Sequence, residues 1–80
     1  MRPISEIAYE IDKDWGKKVN FAARPYLDAM YSLSNIGDKF FNDSGKSVVL
    51  YFLSNAGTWR GEVARRVKNE LALMLKEKTR

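Results

Sequence analysis

Asp43-Ser44-Gly45-Lys46-Ser47-Val48-Val49-Leu50-Tyr51-Phe52-Leu53-Ser54-Asn55-Ala56 is the segment that settles helix against sheet. Its centre, Val48 to Leu53, is the longest apolar run of the chain at six residues, rich in the β-branched and aromatic types that suit a buried strand. A strand needs a neighbour for its amides, however, and no other segment alternates apolar and polar residues with period two. At helical spacing, Gly45, Val49, Phe52, Leu53 and Ala56 share one face, with Val48 and Leu50 on its flanks, and Asp43 or Ser44 can cap the first turn. The segment therefore reads as a helix, apolar nearly all round. Asn55-Ala56-Gly57-Thr58 then reads as a stop followed by a start, with Gly57 in the left-handed conformation and Thr58 as the next cap.

The flanking segments repeat the helical period. Downstream, Val63, Ala64, Val67, Leu71, Met74 and Leu75 form one apolar stripe with Trp59 at its edge, while Arg65, Lys68, Asn69 and Lys76 lie opposite. Glu62 precedes Arg66 by four residues, the favoured order for a helical ion pair. Upstream, Ile4, Ile7, Ala8, Ile11 and Trp15 stack on one face, with Ser5 as cap and Gly16 as stop. Asn20 offers another cap, and Ala23, Tyr26, Leu27, Met30 and Leu33 carry a stripe to about Ser34. Pro25 interrupts it, so that helix starts nearer Arg24 or bends there. Between Asn35 and Asn42 the period breaks at Gly37, and one ring of Phe40-Phe41 is expected to pin the connection to the core while the other is exposed. The predicted fold is all-α: a small compact bundle of about four helices with short loops, forming a single domain over residues 1–80.

Composition narrows the chemistry. The chain has no Cys and no His, which removes thiolate nucleophiles, the commonest general base and the usual transition-metal ligands. Asp12 and Asp14 fall on different sides of the first helix, and Glu6 and Glu10 lie at its solvated edge, so no carboxylate pair forms a site. Ser44-Gly45-Lys46-Ser47 ends like a phosphate-binding loop, but Phe40 stands where that loop needs its first glycine and no strand precedes it. The expectation is a protein that is not an enzyme and takes no cofactor and no metal. The start, Met1-Arg2-Pro3-Ile4-Ser5-Glu6, reaches acidic residues at once and resembles neither a signal peptide nor an anchor, so a cytoplasmic location without membrane contact is expected.

Charge placement points to binding. Residues 1–58 carry seven basic and seven acidic groups, and residues 59–80 carry seven basic against three acidic, so the whole net charge of +4 lies in the last segment. Localised positive charge steers association with nucleic acid or an acidic protein face, although cations also complement a helix C-terminus. Arg60, Arg65, Lys68 and Lys76 are the candidate contact residues, with Arg66 held by Glu62 and Tyr9 projecting from the polar face of the first helix. A helix-turn-helix reader would open its recognition helix at Thr58, Trp59 and Arg60, but Leu53 is bulky where the helices must cross and Arg66 replaces an expected apolar residue. Nucleic acid bound through the last helix is therefore the alternative, and binding of another protein the first expectation. Self-association through Tyr9, Tyr31 and Leu73, which lie off the main stripes, is a further option. Gly61, in the expected first turn of the last helix, suggests close approach of a neighbouring backbone or a partner, or more simply tight packing of the preceding helix against this turn.

Arg24-Pro25-Tyr26-Leu27-Asp28-Ala29-Met30, Tyr51-Phe52-Leu53-Ser54-Asn55-Ala56 and Trp59-Arg60-Gly61-Glu62-Val63-Ala64-Arg65 together resemble a group of short prophage and mobile-element proteins. The resemblance spans most of the chain and contains no catalytic signature. It implies a bacterial host cell and an accessory role in which a host or phage protein is bound, by analogy with anti-CRISPR proteins that act on a defence complex. It assigns a role to no individual residue.

Overall fold

The computed structural model describes residues 2–78, with the side chains of Phe40, Glu77 and Lys78 outside the description. Helix α1 spans Ile4–Trp15, α2 Arg24–Met30, α3 Gly45–Ser54 and α4 Glu62–Lys78, and a 3-10 turn covers Gly16–Lys18. A two-residue antiparallel pair, β1 (Lys39–Phe40) with β2 (Asp43–Ser44), sits just before α3, with Lys39 opposite Ser44 and Phe40 opposite Asp43. The fold is thus mostly helical and compact, and this strand pair amends the all-α expectation. Two residues per strand are too few for any period to show in the sequence.

One core joins the helices. Ile4, Ile7, Ala8, Ile11 and Trp15 of α1 meet Leu27 and Met30 of α2, Val48, Val49 and Phe52 of α3, and Val67, Leu71, Met74 and Leu75 of α4, all buried. Helix α1 packs on α2 and α4, and α3 packs on α2 and α4. The doubtful segment is helical, and Ser44 is its cap, its hydroxyl accepting from the Ser47 amide at 3.1 Å. Gly45 is buried where the turn over residues 35–38 crosses, and its amide donates to the Asp38 carbonyl at 2.6 Å. Of the two phenylalanines, Phe41 is 86% exposed with φ 57°, and the Phe40 side chain lies outside the described residues.

The helix ends correct several expectations. Pro3, not Ser5, precedes α1, and the Ile4 and Ser5 amides donate to the Ser34 and Leu33 carbonyls, so the chain beyond α2 does the work of a side-chain cap. Helix α2 begins at Arg24 with Pro25 in its first turn, where a missing amide costs nothing. Asn20 instead organises the preceding turn: its carbonyl accepts from Ala23 and Arg24, and its side-chain oxygen accepts from Ala22. Gly57 does not take a positive φ and Thr58 does not cap α4. The connection runs over residues 55–61, and Gly61, at φ 114°, is the last residue before the helix. No helix among the described residues is long and apolar enough to cross a membrane.

Candidate partner-binding surface

Trp15 ends α1 and Trp59 lies midway along the connection to α4, and their rings stack at 5.6 Å and 13°. Phe52 of α3 meets both edge-on, at 6.2 and 6.5 Å. Trp59 is only 2% exposed, and its indole N–H donates to Asp14 at 2.8 Å. This cluster fixes the path of residues 56–61 across the end of the bundle, because a buried indole needs both its packing and its donor satisfied.

Two open hollows flank Trp59. One, of about 480 Å³, is lined by Asp14, Trp15, Lys18, Thr58, Trp59 and Arg60. The other, of about 330 Å³, is lined by Trp59, Arg60, Gly61, Ala64, Arg65 and Lys68. Arg60, Arg65 and Lys18 are exposed and form no ion pair among the described residues. Lys68 is half-buried: its ammonium donates to the Ala56 and Trp59 carbonyls at 2.8 and 2.7 Å and sits 5.9 Å over the Trp59 ring. Burial and, secondarily, the positive charge of Arg60 hold the Lys68 ammonium below the usual lysine range.

The expected basic row is therefore divided. Arg60, Arg65 and Lys68 come together around Trp59, but Lys68 is turned inward as a pin for the loop. Arg60 precedes α4 instead of opening it. Lys76 is exposed two turns and more further along α4 and lines neither hollow, as does Tyr9, 61% exposed on α1 with the Lys13 ammonium 5.9 Å from its ring centre. Lys18 was missed by the sequence argument, although its position next to Lys17 and just after Gly16 was a visible signal.

The acidic groups of α1 are largely engaged. Arg66 pairs with Glu10 across the α1–α4 contact and not with Glu62: Glu10 is half-buried there, whereas Glu62 is exposed. Arg2 bridges Glu10 at 2.8 Å and Glu70 at 2.6 Å, and hydrogen bonds from Arg66 and then Arg2 hold the Glu10 carboxyl below its ordinary range. Glu10 is thus a tie between elements, where a solvated residue was expected. Arg24 reaches Asp12 at 3.1 Å and Asp28 at 2.7 Å, and its hydrogen bond, followed by that of Tyr31, likewise depresses Asp12. The Tyr31 hydroxyl donates to Asp12 at 2.7 Å and, through burial and that bond, is pushed up to about 12. Among the described residues no group of three or more acidic side chains is placed to hold a metal ion.

A second surface feature lies beside the first. Phe21 is 95% exposed at the tip of the turn that Asn20 organises, and the Asn20 amide also donates to the Asn55 carbonyl at 2.9 Å, tying this tip to the end of α3. One turn back on α3, Tyr51 is half-exposed and its ring lies 5.4 Å from that of Tyr26. Asn55 in turn donates to the Tyr51 carbonyl at 2.8 Å. Nothing in the spacing of Phe21 distinguished it from a core aromatic, because it falls in a turn where no period applies. The chain matches no protein-family model, no curated protein and no solved structure.

Proposed function

We propose that the protein is a non-enzymatic interaction module of a phage or mobile element, active in the bacterial cytoplasm by binding another protein and blocking a host defence complex. The observation that carries the binding is Phe21: a whole aromatic ring in water on a turn fixed by four hydrogen bonds from and to Asn20. A pre-ordered aromatic anchor loses little freedom when it enters a partner's pocket, which is how interface hot spots contribute most of their affinity. Tyr51 is linked to that turn through Asn55, which accepts from Asn20 and donates to the Tyr51 carbonyl, and its half-exposed ring neighbours Tyr26. The phage setting rests on the resemblance of the Arg24-Pro25-Tyr26, Tyr51-Phe52-Leu53 and Trp59-Arg60-Gly61 stretches.

Nucleic acid held along the basic face of α4 is less well supported, because Lys68 is committed to the loop carbonyls and Lys76 lies apart from Arg65. Affinity capture from bacterial lysate with the wild-type chain and with Phe21→Ala/Tyr51→Ala tests the reading. The expected result is a protein retained by the first and lost by the second, both folding alike. Retention of every captured protein by the double variant would count against it, and a partner that is a second copy of the chain would show as a dimer in light scattering.

A further inference from the structure

We infer that the two hollows around Trp59 form one site that receives an acidic peptide segment of the partner, its carboxylates held by Arg60, Arg65 and Lys18. The inference rests on the protein-binding reading and names the partner's chemistry. The hollows adjoin at Trp59 and Arg60, which line both, with Lys18 on one side of the joint basin and Arg65 and Lys68 on the other. Asp14 is the acidic residue in its wall, and that carboxylate already accepts from the Trp59 indole. The Lys68 ammonium is hydrogen-bonded but not neutralised, since both of its partners are carbonyls and the charge it feels most is that of Arg60. Lys18, Arg60, Arg65 and Lys68 outnumber the Asp14 carboxylate, so the surplus positive charge makes an anion favourable, and arginine forks pair with carboxylates bidentately.

Peptide is favoured over a phosphodiester chain by two features. Trp15 and Trp59 face each other in the core, so the basin offers no ring on which a base could stack. Glu62 also stands beside Arg65 at the start of α4, breaking the positive track. A nucleic-acid strand carries a charge on every nucleotide and cannot skip that residue. An extended peptide presents same-side residues about every 6.6 Å and can place its acids selectively.

Both tryptophans of the chain line the basin, so their indole N–H resonances report on it directly. The full chain, 15N-labelled, is titrated at low salt with a capped peptide of alternating Glu and Ser and, separately, with an oligothymidylate of equal charge. The peptide is expected to shift the Trp15 and Trp59 indole signals and the Arg60 and Arg65 amides, with affinity falling as salt rises. Arg60→Glu/Arg65→Glu is expected to weaken it about tenfold or more, and Lys39→Glu/Lys46→Glu, the same charge change at the other end of α3, about twofold or less. Matching thermal melts establish that both variants fold. Absence of indole shifts, equal loss in the two variants, or tighter binding of the oligothymidylate at these residues would each overturn the inference. Should Arg60→Glu/Arg65→Glu still capture a partner that Phe21→Ala/Tyr51→Ala loses, this inference falls while the protein-binding function stands.

Discussion

Gly45 and Gly61 are required for opposite reasons. A Cβ on Gly45 would lie 2.9, 3.0 and 3.1 Å from the carbonyl oxygens of Ile36, Asn35 and Asp38, and backbone atoms that anchor a turn cannot step aside. Gly45→Ala should therefore cost about 1–3 kcal/mol, as over-packing does elsewhere, read from the urea midpoint. A Cβ on Gly61 would meet nothing within 4 Å, but φ 114° lies where L side chains are strained. Gly61→Ala should cost about 1–3 kcal/mol without any clash, and the strain should show as faster amide hydrogen exchange at the start of α4. The sequence suggested a close approach at Gly61, and the approach is at Gly45. Glycine in a sequence announces that something is unusual, but whether space or torsion is the cause depends on which backbone passes by. That is decided by residues distant along the chain.

Helix α1 illustrates how charge joins elements where the apolar pattern only orients them. Its buried face was legible, because five apolar residues at spacings of three and four can meet a core in one way. Its acidic face was not, because the partners Arg2, Arg24 and Arg66 belong to other segments. Glu10 and Asp12 ionise more readily folded than at their unfolded values of 4.5 and 3.8, so their stabilisation is complete above those values and is lost as pH falls through the lower folded ones. Unfolding followed from neutral pH to about pH 3 should show a steep acid limb, and Glu10→Gln/Asp12→Asn should flatten it while lowering stability at neutral pH. The connection before α4 follows the same logic. Gly57 and Thr58 satisfy the local rules for a stop and a cap, yet the Ala56 and Trp59 carbonyls are met by Lys68, twelve and nine residues downstream. Lys68→Met keeps the aliphatic stem but removes the ammonium donor to the Trp59 carbonyl and leaves the Ala56 carbonyl with only the Trp59 amide, for an expected loss of about 1–3 kcal/mol. Exchange of the Trp59 indole proton should quicken in step.

Across the molecule, the aromatic cluster that holds the core and the exposed ring proposed as an anchor are different residues. The Trp15, Phe52 and Trp59 cluster ties α1, α3 and the α4 connection into one core, within a body of 30 × 23 × 19 Å. Tryptophan fluorescence and far-ultraviolet circular dichroism should accordingly report a single coincident transition, because α1, α3 and the α4 connection share that cluster while α2 and α4 pack into the same core. Phe21 stands outside it. Its ring is in water, and the turn beneath is held by Asn20 through backbone partners that a change of side chain at position 21 leaves in place. Phe21→Ala should thus leave the unfolding midpoint within about 0.5 kcal/mol of wild type, the range of ordinary surface changes. Asn20→Ala should differ. It removes the bonds to Ala22 and to the Asn55 carbonyl, so it should both destabilise the chain by about 1–2 kcal/mol and loosen the turn that presents Phe21. If Phe21 is the anchor, both variants lose partner affinity, Phe21→Ala at unchanged stability and Asn20→Ala with it. Loss in Asn20→Ala alone would instead place the partner contact on the backbone of the turn or on the end of α3.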